Sequence, residues 1–439
     1  MRQFSILMSC ALLVLSAGAG AATPRAPSVP PADAPQLAAL GKHAVGVRTL
    51  SLVNPAQPDL LLGVRSGGKQ TSSDRALEVH LWYPAKAGAP SPGGVYAARL
   101  PMSGAAGTTF TVPALASRDA APAGGTFPLV VISHGFGGWG TFMSYLGENL
   151  ASKGYVVAAI DHADPAFTDG AGFMLSFGSV MMQRSRDQQF VIGELLRRAR
   201  TGGDAVAALI APQPVGLIGY SMGGYGALAT AGAGYDANSA AFKGLPPGVL
   251  PAAGTAQVGA LVLLAPWGGQ PASRAWSAKS LAAVGAPALV ISGDQDDIVD
   301  YRQGVSWIFD ALKGSRRHLL VYQNARHNVG GNPAPEAAAG DFVASEYFEE
   351  PVWRKDRLMA INQHFITAFL DLHLKGERAK SRYLDLAPAI ANDAAWPLPF
   401  GSSSGAAYAT GADATKGYWP GFQRRWALGL EMHQRERGQ

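Results

Sequence analysis

A serine flanked by glycines is the residue of this chain best placed for nucleophilic chemistry. In residues 215–224, which read VGLIGYSMGG, an apolar run meets Ser221 and passes at once into an alanine-rich segment. This order predicts a strand, a sharp turn and a helix, with the serine hydroxyl exposed at the turn. Gly219 and Gly223 lack the Cβ atoms that would keep strand and helix apart. Ser403 also stands between glycines, but no strand precedes it, so we do not expect it to be a nucleophile.

A serine hydroxyl needs a base, held in place by an acid, to become a nucleophile. Among the nine histidines, His327 is the one that directly follows a predicted strand downstream of an acidic loop. The order serine, acid, histidine is that of doubly wound hydrolases. The acid must come from a loop with four aspartates, among which periodicity does not choose: Asp294, Asp296, Asp297 and Asp300.

The turn that reads His134-Gly135-Phe136-Gly137-Gly138 is the predicted source of an oxyanion hole. The loop at this place in a doubly wound hydrolase supplies one backbone N–H, and the residue after the serine supplies another. We therefore predict that the N–H groups of Phe136 and Met222 hold the developing negative charge. His134 is expected to orient the loop and not to act as a base.

Short apolar runs alternate with helical patterns through most of the chain. Strands are predicted at 76–84, 127–133, 155–160, 215–220, 258–266, 286–292 and 318–322, with a short terminal strand or hairpin near 426–432. Helices are predicted at 142–153, 184–200, 225–233, 301–312 and 355–374. This alternation predicts an α/β fold with a doubly wound, mostly parallel sheet, whose chemistry lies at the carboxyl ends of the strands.

Composition divides the chain into four regions. Residues 1–22 have a basic start, a short apolar stretch and small residues, and are typical of an export signal peptide. Residues 23–44 are rich in proline and alanine and are expected to be a flexible lead-in. Residues 45–376 form the predicted catalytic domain, and 377–439 form a C-terminal extension packed on it. Within the domain, the segment 85–126 is expected to be a long surface excursion.

Cleavage near Ala21-Ala22 would leave a secreted or periplasmic protein. It would also remove Cys10, the single cysteine of the chain, and with it all thiol chemistry. The formal charge of +5 is scattered over 439 residues, which argues against nucleic-acid binding. Asp161, His162 and Asp164 lie too close together on one loop to form a coordination shell, so we expect no metal and no cofactor.

Aromatic and methionine residues are concentrated between Phe167 and Met182, in a segment predicted to be a loop. Methionine adapts well to a permissive apolar pocket. The segment is therefore interpreted as a lid and acyl-pocket wall, with ordinary core as the alternative.

Three motifs together resemble one branch of the α/β-hydrolases. They are Ser-His-Gly-Phe-Gly-Gly at 133–138, Leu-Ala-Ser-Lys-Gly-Tyr with the following apolar strand and Asp-His at 150–162, and Gly-Tyr-Ser-Met-Gly-Gly at 219–224. This branch holds dienelactone-hydrolase-like esterases and plasma-type platelet-activating-factor acetylhydrolases. The resemblance extends over about 77–376 and implies an α/β-hydrolase fold with insertions.

A narrower likeness involves Ser-Met-Gly-Gly at 221–224, Ala-Pro-Trp at 265–267 and Gly-Asp-Gln-Asp at 293–296. These stretches are similar to bacterial cutinase-like polyester hydrolases. The resemblance implies that Asp296 is the acid and that Phe136 and Trp267 clamp the acyl part of the ester. Tyr220 departs from the His or Trp that is common before the serine. Two insertions, at about 85–126 and 328–350, and the tail after 376 exceed a minimal cutinase.

These patterns predict an exported serine esterase that forms an acyl-enzyme with short-chain, aromatic or polyester-type esters, whether small or polymeric. Two alternatives share the chemistry: an acyltransferase, and a phospholipid acetylhydrolase that contacts a lipid surface. A third alternative is a non-catalytic binding protein with a hydrolase fold, against which the three candidate triad residues argue.

Overall fold

The computed structural model describes residues 25–88, 94–100, 107–167, 169–255, 257–395 and 418–439. The strands in these ranges are β1 (Ala44–Pro58), β2 (Ser72–Ala85), β3 (Val95–Arg99), β4 (Thr109–Pro113), β5 (Ser117–Arg118), β6 (Leu129–Ser133), β7 (Val156–Asp161), β8 (Val215–Tyr220), β9 (Val258–Leu264), β10 (Ala288–Gly293), β11 (Arg317–Tyr322) and β12 (Leu430–Arg435). The helices are α1 (Leu60–Arg65), α2 (Ser144–Ser152), α3 (Gly170–Thr201), α4 (Met222–Thr230), α5 (Ala278–Leu281), α6 (Ser306–Ala311), α7 (Phe342–Glu346) and α8 (Lys355–Leu374).

One large sheet organises the molecule, in the strand order β12-β11-β10-β9-β8-β6-β7-β2-β1-β5. The strands from β11 to β7 in this order are all parallel, and β12 and β2 border them antiparallel. Helix α3 packs on α4, and α2 packs on α8. The fold class predicted from the sequence, a doubly wound and mostly parallel sheet, is confirmed.

The central strands form because their residues are apolar on both faces. Val130 in β6, Leu217 in β8 and Val262 in β9 are completely buried. A parallel strand covered by helices on both sides reads as an unbroken apolar run, which is the pattern these segments have. Strand β8 lies in the middle of the sheet and ends directly at Ser221.

The described parts of the segment 85–126 contain regular structure that the sequence did not predict. Strands β3 and β4 pair in an antiparallel hairpin within it, and Tyr96 and Phe110 are buried. The Tyr96 hydroxyl donates to Glu148 Oε1 at 2.6 Å, which anchors the hairpin on α2. High glycine and proline content hid the two short strands from periodicity arguments.

The described part of the predicted lead-in, residues 25–44, makes long-range hydrogen bonds, while its flexibility stays a prediction. The Ser28 hydroxyl donates to Glu148 Oε2 at 2.6 Å, and the Leu37 N–H donates to His364 Nδ1 at 3.1 Å. The Gln36 N–H reaches Gly421 O in the C-terminal extension at 2.8 Å. Long-range hydrogen bonds of this kind leave no trace in local composition.

The C-terminal extension contributes to the sheet itself. Strand β12 pairs antiparallel with β11 along its full length and forms the edge of the sheet. The predicted terminal strand is therefore present but begins later, at Leu430. The predicted signal peptide at 1–22 and the second Gly-x-Ser-x-Gly pattern, at residues 401–405, lie outside the described residues.

Helix α3 begins at Gly170, well before the predicted start at Arg184. The Asp169 carboxylate caps it by accepting the Gly172 N–H at 2.7 Å. The early turns contain several glycines, which weaken a helical signature. The aromatic and methionine residues predicted to lie in a loop are therefore mostly helical. Among the helices of the described ranges, none combines the length and hydrophobicity of a transmembrane segment.

Candidate active site

Ser221 lies at the turn between β8 and α4 in a strained backbone conformation, with φ 52° and ψ −114°. Non-glycine residues adopt such a conformation only where the surrounding structure imposes it. A Cβ on Gly219 would lie 2.4 Å from the Gly223 carbonyl carbon, and one on Gly223 would lie 2.0 Å from Ser133 O. Both positions therefore require glycine, because backbone meets backbone there.

His327 links the serine to an acid. Its Nε2 lies 3.1 Å from Ser221 Oγ, and its Nδ1 lies 2.8 Å from Asp296 Oδ2. In this arrangement Nδ1–H donates to the carboxylate, so Nε2 is free to accept the serine proton. The three residues follow β8, β10 and β11, and the structure brings them together at the carboxyl ends of these strands.

Asp296 is the aspartate of the acidic loop that reaches His327. It is 4% exposed, and its second oxygen accepts the N–H groups of Ile298 and Val299 at 3.0 and 3.1 Å. The other three aspartates have different partners: Asp294 accepts from the Asn324 N–H, Asp297 pairs with Arg326, and Asp300 accepts from the Gln303 N–H. The four aspartates therefore differ in where their positions in the loop direct the carboxylates, and it is Asp296 whose carboxylate reaches the histidine.

The two predicted oxyanion donors border the same cavity as Ser221. Met222 is the first residue of α4, where helical N–H groups have no acceptor in their own helix. Within the described ranges, neither the Phe136 N–H nor the Met222 N–H has a hydrogen-bond acceptor. Both amides are thus available to a substrate oxygen, as an oxyanion hole requires.

His134 holds the loop that carries Phe136. Its Nδ1 donates to Gly135 O at 2.6 Å, and its Nε2 accepts the His162 N–H at 3.2 Å. Burial, together with the nearby Arg184 guanidinium, lowers the pKa of His134, so the ring is neutral at neutral pH. These contacts agree with the predicted orienting role and leave no nitrogen for proton transfer.

A buried ion pair fixes the peptide groups on both sides of Phe136. Arg184 Nη2 lies 2.7 Å from Asp164 Oδ2, with side chains only 1% and 5% exposed. Arg184 also donates to Gly135 O at 3.2 Å, and Asp164 accepts the Gly137 N–H at 3.2 Å. Sequence reasoning missed this pair, although an arginine among the apolar residues of a helix was a usable signal.

Burial alone would raise the pKa of Asp164, but its neighbours, the Arg184 guanidinium first among them, together more than offset this and hold that pKa below its ordinary value. Because the pKa of Asp164 is lower in the folded protein than in the unfolded chain, the stability of the protein depends on pH. The stabilisation is fully present above the ordinary aspartate pKa and is lost as the pH falls through the lowered one.

We expect Arg184→Met to lower the free energy of unfolding at pH 7.5 by about 3–5 kcal/mol, because Asp164 would be left as an unpaired buried charge. The unpaired carboxyl would have a raised pKa and could protonate, so the loss should shrink at pH 5. Urea unfolding at both pH values measures this. Arg197→Met, which removes an exposed ion pair with Glu194, should change little. An equal loss at both pH values would contradict the electrostatic explanation.

The loop that carries Asp161, His162 and Asp164 is occupied by protein contacts. His162 Nδ1 lies 2.9 Å from Asp187 Oδ2, and its Nε2 lies 2.7 Å from Ser133 Oγ. In the described part of the chain, no cluster of three acidic, histidine or cysteine side chains is arranged to hold a metal ion. This loop braces the end of β6 and thereby the oxyanion loop.

A cavity of about 580 Å³ opens above Ser221. Its apolar wall is aromatic and consists of Phe136, Phe167, Phe173, Phe177 and Trp267. The Phe136 and Phe167 rings are stacked with centroids 5.7 Å apart, and Phe177 meets Trp267 edge-on at 5.2 Å. The structure therefore places both predicted clamp residues at the cavity.

A polar part of the cavity lining was not foreseen. It consists of Arg326, Asn328, Glu346, Tyr347 and Glu349. Most of these residues belong to the insertion at 328–350, which contains α7. The insertion therefore belongs to the site, although its sequence has no motif that announces this.

A doubly wound sheet with serine, aspartate and histidine joined at the ends of three of its strands defines an α/β-hydrolase. Residues 68–171 match the family model described as platelet-activating factor acetylhydrolase, isoform II. This match confirms the predicted resemblance to that branch. The likeness to cutinase-like polyester hydrolases stays a prediction.

Two curated relatives match over a short stretch. The platelet-activating factor acetylhydrolases of Canis lupus familiaris and Bos taurus are 51% and 46% identical to this chain over 41 residues, which is 9% of this chain and 9% of each relative. A solved structure, a ferulic acid esterase from Streptomyces cinnamoneus, is similar over 78% of this chain and 94% of that one, with a TM-score of 0.50 and 22% identity. The similarity to that structure establishes the fold. The family model and the two relatives, which match only part of this chain, agree with the prediction of a serine ester hydrolase.

Proposed function

We propose that this protein is an exported serine carboxylic ester hydrolase that needs no cofactor. The observation that carries the proposal is the hydrogen-bonded chain from Ser221 Oγ through His327 to Asp296, with distances of 3.1 and 2.8 Å. A serine with this support, beside two free backbone N–H groups, is equipped for acyl transfer.

In the first half of the reaction, Ser221 Oγ attacks the ester carbonyl carbon while His327 Nε2 takes the hydroxyl proton. Asp296 stabilises the imidazolium that forms. The carbonyl oxygen becomes an oxyanion, held by the N–H groups of Phe136 and Met222. The intermediate then collapses, the bond to the alcohol breaks, and His327 returns its proton to the leaving alcohol.

In the second half, water takes the place of the alcohol. His327 removes a proton from the water as it attacks the acyl carbon, and a second oxyanion forms in the same place. Its collapse releases the carboxylic acid and returns the proton to Ser221. An acyltransferase would differ only in using an acceptor alcohol at this step.

The aromatic wall of the cavity supports short-chain or aromatic acyl groups. Aromatic rings gain from edge-on and offset contacts beyond the area that they bury. A flat acyl ring between Phe136 and Trp267 would make such contacts. The cavity, of about 580 Å³, has the volume of a small-molecule site and can hold one ester unit.

We expect Phe177→Ala to lower kcat/KM for p-nitrophenyl benzoate by about 10-fold, because it removes a ring that packs edge-on to Trp267 and lines the acyl side. Turnover of p-nitrophenyl acetate should change much less, since its acyl group is too small to reach this wall. Met174→Ala is the matched control, because Met174 lies on the same helix and is 65% exposed. Equal losses for the two esters would contradict the assignment of this wall.

The match of residues 68–171 to an acetylhydrolase family favours one rival, a phospholipid acetylhydrolase at a lipid surface. Vesicles containing a phosphocholine lipid with an sn-2 acetyl group distinguish the two. The rival predicts that this lipid is hydrolysed with a higher kcat/KM than soluble p-nitrophenyl esters and that the protein cosediments with vesicles. Our proposal predicts a higher kcat/KM for the soluble p-nitrophenyl esters than for this lipid.

The decisive experiment is hydrolysis of p-nitrophenyl esters of graded chain length by the mature protein. Turnover that falls with chain length supports the proposal. Absence of turnover with every ester would favour the non-catalytic alternative. Export is tested separately by amino-terminal sequencing of protein recovered outside the cytoplasm, where we expect a start near Ala22 or Thr23.

A further inference from the structure

The loop that carries His327 has neither helix nor strand of its own. It follows β11 and runs irregularly into the insertion at 328–350. A catalytic base nevertheless has to stay within a few tenths of an ångström of its position, because small misplacements cost large factors in rate. The contacts that hold this loop must therefore come from elsewhere in the chain.

Glu350 binds the peptide groups on both sides of the histidine. Its Oε2 accepts the Arg326 N–H at 2.6 Å, and its Oε1 accepts the Asn328 N–H at 2.5 Å. The side chain is 7% exposed. Two short bonds from one buried carboxylate thus fix the backbone just before and just after His327.

Lys355 completes the support from the first turn of α8. Its Nζ donates to Asn328 O at 2.7 Å and also to Phe348 O. Burial lowers the pKa of Lys355 to about 8, partly opposed by Glu349 and Glu350, so it is mostly protonated at neutral pH. Asn328 is thereby held at its N–H by an anion and at its carbonyl by a cation.

Tyr220 supports the same loop from the other side. Its hydroxyl lies 3.3 Å from His327 O, and its ring faces the imidazole with centroids 5.3 Å apart. This contact comes from the residue before the nucleophile. The base is thus held between the serine turn and the end of the insertion.

The surroundings of Glu350 disfavour the charged form of its side chain. Burial raises its pKa, and the two amides, Lys355 and His327 only partly oppose this. A buried carboxylate in such surroundings costs stability unless other interactions compensate. Its charge also interacts favourably with that of a protonated His327, the form that arises while Ser221 attacks.

We propose that Glu350 is a positioning residue for the catalytic base: its carboxylate fixes both peptide N–H groups that flank His327 and so keeps the imidazole between Ser221 and Asp296. The inference rests on the proposed esterase function. It concerns a residue in an insertion that no motif of the chain singles out.

The test is Glu350→Gln in the full-length mature protein, assayed with p-nitrophenyl butyrate. A glutamine offers one acceptor oxygen and turns an NH₂ group toward the second amide. We expect kcat to fall by about 10- to 100-fold, as misplacement of a catalytic group does, with KM within about threefold of wild type. The far-downfield proton resonance of the His327–Asp296 hydrogen bond should broaden, because the ring is no longer held.

Glu148→Gln is the matched control. Glu148 is also a buried carboxylate, 1% exposed, and accepts the N–H groups of Leu115 and Ala116 far from the serine. Its substitution should lower the thermal midpoint but leave kcat and the downfield resonance unchanged. A loss of kcat in both variants in proportion to their loss of stability would overturn the positioning role.

Wild-type kcat and an unchanged resonance in Glu350→Gln would overturn the inference while leaving the esterase proposal intact. A wild-type protein without turnover would contradict the esterase proposal, and the resonance alone would then decide the role of Glu350. Should Glu350→Gln not fold, Glu350→Asp decides in its place. It keeps the charge but withdraws the oxygens by one methylene, so a kcat equal to wild type would overturn the inference.

Discussion

Ser221→Ala is expected to lower kcat for p-nitrophenyl butyrate by about 10⁶-fold, because Ser221 Oγ is the hydroxyl that lies beside His327 Nε2 and forms the acyl-enzyme. The substitution removes one oxygen at a strained position and leaves the glycines around it unchanged, so the fold should persist. Residual catalysis over water should remain, since the oxyanion donors and the binding cavity are still present. Initial rates on matched protein concentrations, with the thermal midpoint as a check of folding, measure this.

Ser403→Ala is a control within the same chain. Ser403, like Ser221, has a glycine two positions before it and another two positions after it. We expect wild-type rates from this variant. Labelling with a fluorophosphonate should modify wild type and Ser403→Ala but not Ser221→Ala. Turnover by Ser221→Ala at the wild-type rate would refute the mechanism.

The second large effect is expected from Asp296→Asn, which should reduce kcat by about 10⁴-fold with little change in KM. The amide would present an NH₂ group to His327 Nδ1 and favour the ring tautomer that has its proton on Nε2. That tautomer cannot accept the serine proton. The carboxylate oxygen that accepts the Ile298 and Val299 N–H groups can be kept as the amide oxygen, so the loop should retain its shape.

Asp297→Asn is the neighbouring control. Asp297 is exposed and pairs with Arg326 at 3.1 Å, an interaction of the kind that contributes at most about 1 kcal/mol. Its kcat should stay within about threefold of wild type. If Asp297→Asn lost activity and Asp296→Asn kept it, the assignment of the acid would be wrong.

The parallel core and two of the three residues at its edge could be foreseen for one physical reason. Strands buried on both faces must be apolar throughout, so their ends are visible in the sequence, and chemistry collects at those ends. Ser221 and His327 follow from this reasoning alone. Periodicity could not separate Asp296 from Asp297, because adjacent loop residues differ only in direction, which the resemblance and then the structure resolved.

The contacts that support the catalytic loops could not be predicted from the sequence, for a different physical reason. The bonds from Glu350 to the His327 loop, and from Arg184 to the Phe136 loop, join residues far apart in sequence through single side chains. Such contacts have no period and no composition bias. The early turns of α3 escaped for a local reason, because their glycines resemble a loop although Asp169 caps a helix there.

The close contact of backbone with backbone at Gly219 and Gly223 has a consequence for how this protein can change. No side chain can be introduced there, so the reacting centre is closed to variation. Three rings of the cavity wall, Phe167, Phe173 and Phe177, come instead from α3 and its approach, encoded more than 40 residues earlier in the chain. The nucleophile turn and these three rings are thus encoded by separate stretches of the gene. Directed evolution can accordingly randomise Phe167, Phe173 and Phe177 for new acyl preferences while the nucleophile turn and Arg184, which holds the Phe136 loop, stay unchanged.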